Sequence, residues 1–426
     1  MNTLIQHVDL WTPQEIKIDV DILVSDQRIQ KIGKNLECED VDNKIDGKRM
    51  LAMPGLINSH THVAMTLFRS YADDVALMDW LENHIWPAEA KLNDEVVYWG
   101  SQLAFAEMIR GGTTAFCDMY MHMPQVAKAA VDVGMRGNIA RGLAGTSPNG
   151  EEALQENVAL FHEWHQAANG LIRVMLGPHA PYTCSAKYLE KVIDAASKDY
   201  IEIHIHLSET QGEVETCREK HGLSPIAYME QLGLFTQPTL AAHCVHVDAD
   251  DIAIMAEHNV RVAHNPRSNL KLASGVAPVP QMLAANITVG LATDGASSNN
   301  KLDMWEEMQT AALIHKGVSY DPTAIPAQTA VELATSGGAH ALGYSDLGEL
   351  KEGHLADIIL VDRNGFHWQP QYNVTSLLAY AAQSSDVDTV MINGKLVMQH
   401  RQLLTIDEER LRSEITKAQE YFNNLS

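Results

Sequence analysis

The chain has 426 residues, 46% of them hydrophobic, enough for one large domain of about 250 to 300 residues with a smaller one beside it. Its formal net charge is −24 without any run of Lys or Arg, which excludes the phosphate-binding footprint of a nucleic-acid partner and reads as solubility. No apolar stretch approaches the roughly 18 residues of a membrane span, so a membrane partner is excluded as well.

The first residues, MNTLIQHVDLWTPQEIKIDVD, lack the basic-then-apolar order of a secretory leader. Short alternating segments follow up to about residue 54, among them Asp21-Ile22-Leu23-Val24 and Arg28-Ile29-Gln30-Lys31-Ile32. From there strand-like runs fall near 56–62, 113–118, 136–141, 171–177, 201–206, 239–243, 260–264 and 287–293, most pairs separated by a helix-like stretch. The helix from about Asp94 to Arg110 has an acidic first turn, an apolar face (Val97, Ala104, Phe105, Met108) and a Gly111-Gly112 stop. Short strands return near the C-terminus. Ala356 to Val361 reads as a buried strand, and Val390-Met391-Ile392 and Lys395-Leu396-Val397 flank the hairpin signal Asn393-Gly394. Residues 407 to 426 are charged and helix-like.

Eight strands alternating with helices predict an α/β chain with a (β/α)8 TIM-like barrel over 55–344. The β-rich ends, 1–54 and 345–426, predict one small β-sandwich domain built from both termini, with a C-terminal helix. The five cysteines (Cys38, Cys117, Cys184, Cys217, Cys244) are scattered, odd in number and form no Cys-x-x-Cys. They read as reduced thiols of a cytoplasmic enzyme.

In such a barrel the C-terminal strand ends form the active-site face. The polar residues at these ends are His60 and His62, Asp118, Arg141, His179, His206, His243, His264 and Asp294. His60 and His62 are two apart, so on a strand both imidazoles reach one side and one cation. His204 and His206 share a face in the same way. His206 is nearer the strand end and stands three residues before Glu209, so it is the preferred ligand, with His204 expected one layer lower as a hydrogen-bonded interior residue. Three neutral imidazoles and a carboxylate suit Zn²⁺ with room for water, Fe²⁺ or Mn²⁺ being the other candidates. His84, His162, His165, His221, His258 and His315 are expected in surface or core roles.

The segments Pro54-Gly55-Leu56-Ile57-Asn58-Ser59-His60-Thr61-His62, His206-Leu207-Ser208-Glu209, Leu240-Ala241-Ala242-His243-Cys244, His264-Asn265-Pro266-Arg267-Ser268-Asn269 and Thr293-Asp294-Gly295 resemble the amidohydrolase superfamily. Within it the chain is most similar to the 5-methylthioadenosine/S-adenosylhomocysteine deaminases and their chlorohydrolase relatives. The similarity runs over nearly the whole chain, including the flanking segment Gly348 to Asp357. It implies metal ligation by His60, His62, His206 and Asp294. It also implies one metal rather than two, because the fourth strand, Ile172 to Leu176, ends at His179 without the lysine that bridges two-metal sites. Glu209 matches the proton-shuttling glutamate and His243 the histidine that orients water and stabilises charge. Glu89, Arg141 and His179 match nucleoside-binding positions, beside Glu209 and Asp294.

The implied reaction is metal-dependent hydrolytic deamination of an adenosine-like nucleoside (5′-methylthioadenosine, S-adenosylhomocysteine, adenosine or 5′-deoxyadenosine) to the inosine-like product and ammonia. The metal would make hydroxide available near neutrality, Asp294 would take the water's proton, Glu209 would protonate the ring nitrogen and His243 would hold the adding oxygen. The absence of Pro-Cys-x-x-Cys sets the chain apart from the cysteine-ligated zinc deaminases. Phe68, Tyr71, Trp80 and Trp86, in the long segment 63–93 that carries Glu89, offer aromatic surface to cover a purine. Between Arg141 and Arg173 there is no other Arg or Lys, so a homocysteine carboxylate would have only Arg141 from this region. The rival readings are hydrolysis of another heterocycle, guanine-type or s-triazine, and a scaffold without catalysis. A homo-oligomer is compatible with the sequence.

Overall fold

A computed structural model describes residues 1–75 and 77–424. Among these, eight parallel strands follow one another around a barrel in chain order: Leu56–Thr61, Thr113–Tyr120, Arg136–Leu143, Ile172–Pro178, Ile203–Leu207, Thr239–His243, Arg261–His264 and Val289–Leu291. The expected (β/α)8 barrel is present, with each expected run overlapping its strand. Every residue of Leu56–Thr61 and Thr113–Tyr120 is buried, as a parallel sheet covered on both faces requires.

The ladder is continuous from the first strand to the eighth and ends there. The seam between the eighth and the first is closed differently. The Asp294 amide donates to the His60 carbonyl (3.0 Å), and the Asn58 side chain exchanges hydrogen bonds with Thr293, donating to Oγ1 (2.7 Å) and accepting from the amide (3.0 Å). Inside, Ile57, Ala115, Cys117, Ala140, Met175, Leu240, Ala263 and Ala292 form one apolar cluster with Ala339, Ala341, Leu342 and Tyr344 of the segment beginning at helix Ser336–Ala341.

The helix Asp94–Arg110 begins at Asn93, whose side chain accepts from the amides of Glu95 and Val96. It stops at Gly111, as its Gly-Gly signal predicts.

Both termini build a second, mixed sheet of nine strands. The link between the two ends of the chain is antiparallel pairing of Met50–Pro54 with Ile358–Asp362. The strand Asn2–Trp11 pairs along one edge with Ile16–Ser25. Its other edge is divided, Thr3 to Gln6 meeting Asn43–Asp46 and Asp9 to Leu10 meeting Met50–Pro54. Ile5, Val8, Leu10, Val20, Ile22, Val24, Ile358, Leu360 and Met391 meet in a core separate from the barrel's. The Asn393-Gly394 hairpin forms with both residues at positive φ (53° and 75°), the geometry that a two-residue hairpin turn demands.

The buried Arg136 side chain binds the sheet domain to the barrel. Its Nε and Nη2 donate to the Asp357 carboxylate at 2.8 and 2.9 Å, and Nη2 also reaches Asn393 Oδ1 at 2.9 Å. The helix Glu408–Asn423, capped by Asp407, docks on the barrel side: Phe422 meets Phe68 (5.1 Å between ring centres), and the Tyr421 hydroxyl donates to the Lys91 carbonyl. No helix among the described residues is long and apolar enough to cross a membrane, and all five cysteines are unpaired.

Candidate active site

His60 and His62 lie at and just past the end of the first strand, and both turn inward. His206, two residues past His204 on the fifth strand, joins them: His60, His62 and His206 offer nitrogens that all lie within 4.8 Å of one another. Each imidazole is anchored through Nδ1. His62 meets the Met119 carbonyl at 2.6 Å, His206 the His179 carbonyl at 2.7 Å, and His60 the Nε2 of His204 at 2.9 Å. A carbonyl can only accept, so the Nδ1 of His62 and His206 carries a proton, and Nε2 is the atom turned toward the centre.

Asp294, past the end of the eighth strand, completes the cluster from the other side of the seam. The Ser268 and Ser298 hydroxyls both donate to its Oδ2 at 2.7 Å. Its Oδ1 faces His60 Nε2 at 3.4 Å and His62 Nε2 at 3.3 Å. Ligand atoms held about 2.0–2.1 Å from one tetrahedral centre lie roughly 3.3–3.4 Å apart, so these spacings fit a shared cation. The buried His60 Nε2 has no hydrogen-bond partner, which such a cation would supply.

The electrostatics agree. Burial drives His60 down to about 3 and holds His204 and His206 well below the usual range, keeping them neutral. Burial also opposes charge on His62, but the hydrogen bond and charge of Asp294, with Asp118 behind it, raise that group to about 9. The same two imidazoles hold Asp294 well below the carboxylate range against the effect of burial. The centre therefore favours a positive charge beside Asp294. The His/His/His/Asp donor set fits a divalent cation of the zinc type.

Glu209 and His243 flank this cluster. His243 ends the sixth strand, its Nδ1 on Asn269 Oδ1 (2.8 Å) and its Nε2 3.9 Å from Glu209 Oε2. Burial raises the Glu209 carboxyl, partly offset by the charge of His243. The Ser208 and Glu209 amides both donate to the Glu213 carboxylate (2.9 and 2.8 Å), which fixes the turn that aims Glu209. Ser208, His243 and Asp294 all adopt left-handed backbone (φ 53°, 72° and 61°), so the chain leaves three strands through conformations that side chains disfavour.

A cavity of about 610 Å³ opens onto His62, His206, Glu209 and Asp294, and its wall includes Glu89, Tyr120, Arg141 and His179. Burial pushes Glu89 up to about 7, against the pull of the Tyr120 hydroxyl and the His62 charge. His179 falls to about 4 by burial and leans on the Thr183 hydroxyl through Nδ1 (3.0 Å).

The metal, catalytic and nucleoside candidates His60, His62, Glu89, Arg141, His179, His206, Glu209, His243 and Asp294 converge here; of the other strand-end residues, Asp118 accepts from the Val63 amide (2.8 Å) away from the cavity wall, and His264 stands apart. It ends its strand but faces outward, its Nε2 3.2 Å from that of His315 on helix Met304–Ser319. Residues alternate across a strand; Ala263 takes the inward place. His204 lies below His206, between His60 and the Cys117 thiol (3.4 Å), as expected. Of the four aromatic residues, only Trp80 and Trp86 line the cavity. Phe68 is buried against Phe422, and Tyr71 is exposed beside it. Sequence reasoning missed Ser268, Ser298, Asn269 and Glu213. Ser268 and Asn269 stood in the quoted His264 to Asn269 segment, and nothing marks Ser298 or Glu213 locally.

The amidohydrolase family profile matches residues 51–397. A 5-methylthioadenosine/S-adenosylhomocysteine deaminase of Dictyoglomus turgidum is 49% identical over 98% of both chains. Among solved structures, a zinc-bound adenosine deaminase from Xanthomonas campestris superposes with a TM-score of 0.94 at 33% identity, covering 99% of this chain and 98% of that one. A zinc-complexed atrazine chlorohydrolase from Arthrobacter aurescens superposes at 0.91 with 26% identity, over 98% of this chain and all of the other. With the family profile spanning most of its length and the barrel carrying the strand-end histidines and aspartate, the chain belongs to the amidohydrolase family.

Proposed function

We propose that this amidohydrolase deaminates an adenosine-like nucleoside (5′-methylthioadenosine, S-adenosylhomocysteine, adenosine or 5′-deoxyadenosine), releasing ammonia and the inosine-like product. The observation that carries the reading is a buried carboxyl raised toward its protonated form, Glu209, facing the same cavity as the His60/His62/His206/Asp294 cluster. The deaminase relatives support the substrate class. One divalent ion per chain, zinc by its donor set, is held by His60, His62, His206 and Asp294; it supplies the Lewis acidity that acidifies water at neutral pH. The fourth strand, Ile172–Pro178, brings no lysine to bridge a second.

In the reaction, water oxygen adds to the purine carbon that bears the amino group, and ammonia leaves. Asp294, its Oδ2 held by two serines, takes a proton from the water. Glu209 gives a proton to the ring nitrogen, making that carbon electrophilic, and later helps move a proton to the departing amine. His243 holds the incoming oxygen through Nε2 while Asn269 fixes its ring. Glu89 accepts from the ribose hydroxyls, and Trp80 and Trp86 cover the base.

The test is a panel of nucleosides, guanine and s-triazines offered to purified zinc-loaded protein, with ammonia and chloride release followed alongside elemental analysis. Deamination of adenosine-type nucleosides with one zinc per chain is expected. Turnover confined to guanine or a triazine would replace this reading, and two metals per chain would overturn the ligand set.

A further inference from the structure

Glu307, on helix Met304–Ser319, is fully buried although it neither lines the cavity nor joins the metal cluster. Burial pushes its carboxyl up to about 8, and an acid is kept in such a place only where its oxygens are taken up. Here both oxygens have partners. Asn299 Nδ2 donates to Oε1 at 2.6 Å, and the Arg267 amide donates to Oε2 at 3.2 Å. Only one orientation satisfies the Asn299 side chain, because Nδ2 also donates to the Thr293 carbonyl (2.8 Å) and Oδ1 accepts from Arg267 Nε (3.3 Å). Three stretches of chain therefore meet at Glu307, and each adjoins a part of the Asp294 carboxylate's setting. Arg267 precedes Ser268, Asn299 follows Ser298, and Thr293 precedes Asp294 itself. Ser268 and Ser298 supply the two hydroxyls that donate to Asp294 Oδ2.

Resting on the metal site and the deaminase reading above, we infer that Glu307 is a positioning residue for Asp294. It ties the loops after the seventh and eighth strands together, so that both serines hold Oδ2 while Oδ1 stays turned to His60 and His62. Glu307 touches neither metal nor substrate and works only through Asn299 and the Arg267 amide. A carboxylate suits the place because both neighbours donate to it. Glutamine keeps the shape but sets an N–H against one of them, which breaks a hydrogen bond and frees one loop to shift. The adjacent Glu306 gives the contrast: it binds Arg267 Nη1 at 2.8 Å and pairs with Lys301, outside this set of hydrogen bonds.

The experiment uses the full-length protein and measures zinc affinity by competition with a chromophoric chelator, kcat and KM for 5′-methylthioadenosine, and the melting temperature. Glu307→Gln is expected to weaken zinc binding about 10- to 100-fold and to lower kcat by a similar factor, with KM within about twofold of wild type. Glu306→Gln should leave zinc affinity and kcat near wild type. In a Ser268→Ala/Ser298→Ala background, Glu307→Gln should weaken zinc binding by no more than about twofold further, because its effect passes through those two hydroxyls. A merely structural acid would show only a lower melting temperature in Glu307→Gln, with affinity and kcat untouched. That result overturns the inference, as does full additivity in the serine background. If Glu307→Gln fails to fold, Asn299→Ala cuts the same junction and should show the same losses; wild-type zinc affinity there overturns the inference too. A wild type that binds zinc but deaminates no nucleoside removes the proposed function, while the affinity measurements still decide the role of Glu307.

Discussion

His60 can serve as a ligand only in one tautomer, and a line of buried neighbours decides which. Its Nδ1 meets His204 Nε2, and His204 Nδ1 meets the Cys117 thiol. For His60 Nε2 to keep its lone pair, Nδ1 must donate to His204, which then donates to sulfur. His204→Ala should therefore keep one zinc per chain while weakening its affinity about 10- to 100-fold, the usual cost of losing a group that orients a ligand. His206→Ala should empty the site; metal titration monitored by elemental analysis separates the two. Glu209→Gln, which keeps shape but loses the titrating proton, should retain full zinc and bind an inosine analogue normally. Its kcat should drop by about 10² to 10⁴. Retained turnover would hand the proton to His243, and lost zinc would make Glu209 a ligand. At this scale the donors were legible because strand spacing places them. Their supports were not, since Ser298 and Glu213 meet the site only through tertiary contact.

The segment between the first strand and helix Asp94–Arg110 shows why elements are harder to read than residues. Its turns Val63–Phe68, Trp80–Ile85 and Trp86–Glu89 are short, and its aromatic residues divide between two duties. Trp80 and Trp86 line the cavity, whereas Phe68 seats the C-terminal helix, a partner that is remote in sequence. Glu89 ends the last of these turns. A carboxyl raised to about 7 is protonated below that pH, so its full capacity to accept ribose hydroxyls is present above it and lost as pH falls. KM for adenosine should accordingly decrease between pH 6 and pH 8, and Glu89→Gln should flatten that profile. Glu89→Ala should raise KM for nucleosides far more than for free adenine; equal effects on both would reduce Glu89 to a structural role. The eight barrel strands were legible from apolar runs alone. The left-handed exits at Ser208, His243 and Asp294 were not, because local preference opposes them and the surrounding fold imposes them.

In the whole molecule, the two ends of the chain meet in one sheet that Arg136 and Asp357 fasten to the barrel through a buried two-pronged ion pair. Removing one partner of such a pair costs about 3–5 kcal/mol, so Arg136→Met should lower the unfolding midpoint strongly. Zinc analysis of the folded fraction should still show a loaded site. The pairing of Met50–Pro54 with Ile358–Asp362 was not legible in advance, for nothing local in either segment names its partner.

The seam where the eighth strand meets the first has a further consequence. Seven of the eight junctions in the barrel wall are laced by ladder hydrogen bonds; this one depends on the Asn58–Thr293 side-chain exchange, the Asp294 amide on the His60 carbonyl and the Thr61 hydroxyl on the Asp294 carbonyl. His60 and His62 stand on one side of it and Asp294 on the other. An ion gripped by all three is a clasp on an otherwise loosely buttoned ribbon, and catalysis and closure of the barrel then share a fastening. Chelation should lower the melting temperature and speed amide hydrogen exchange first in Leu56–Thr61 and Val289–Leu291, before the strands opposite. Uniform exchange across the barrel would show that the wall holds itself shut.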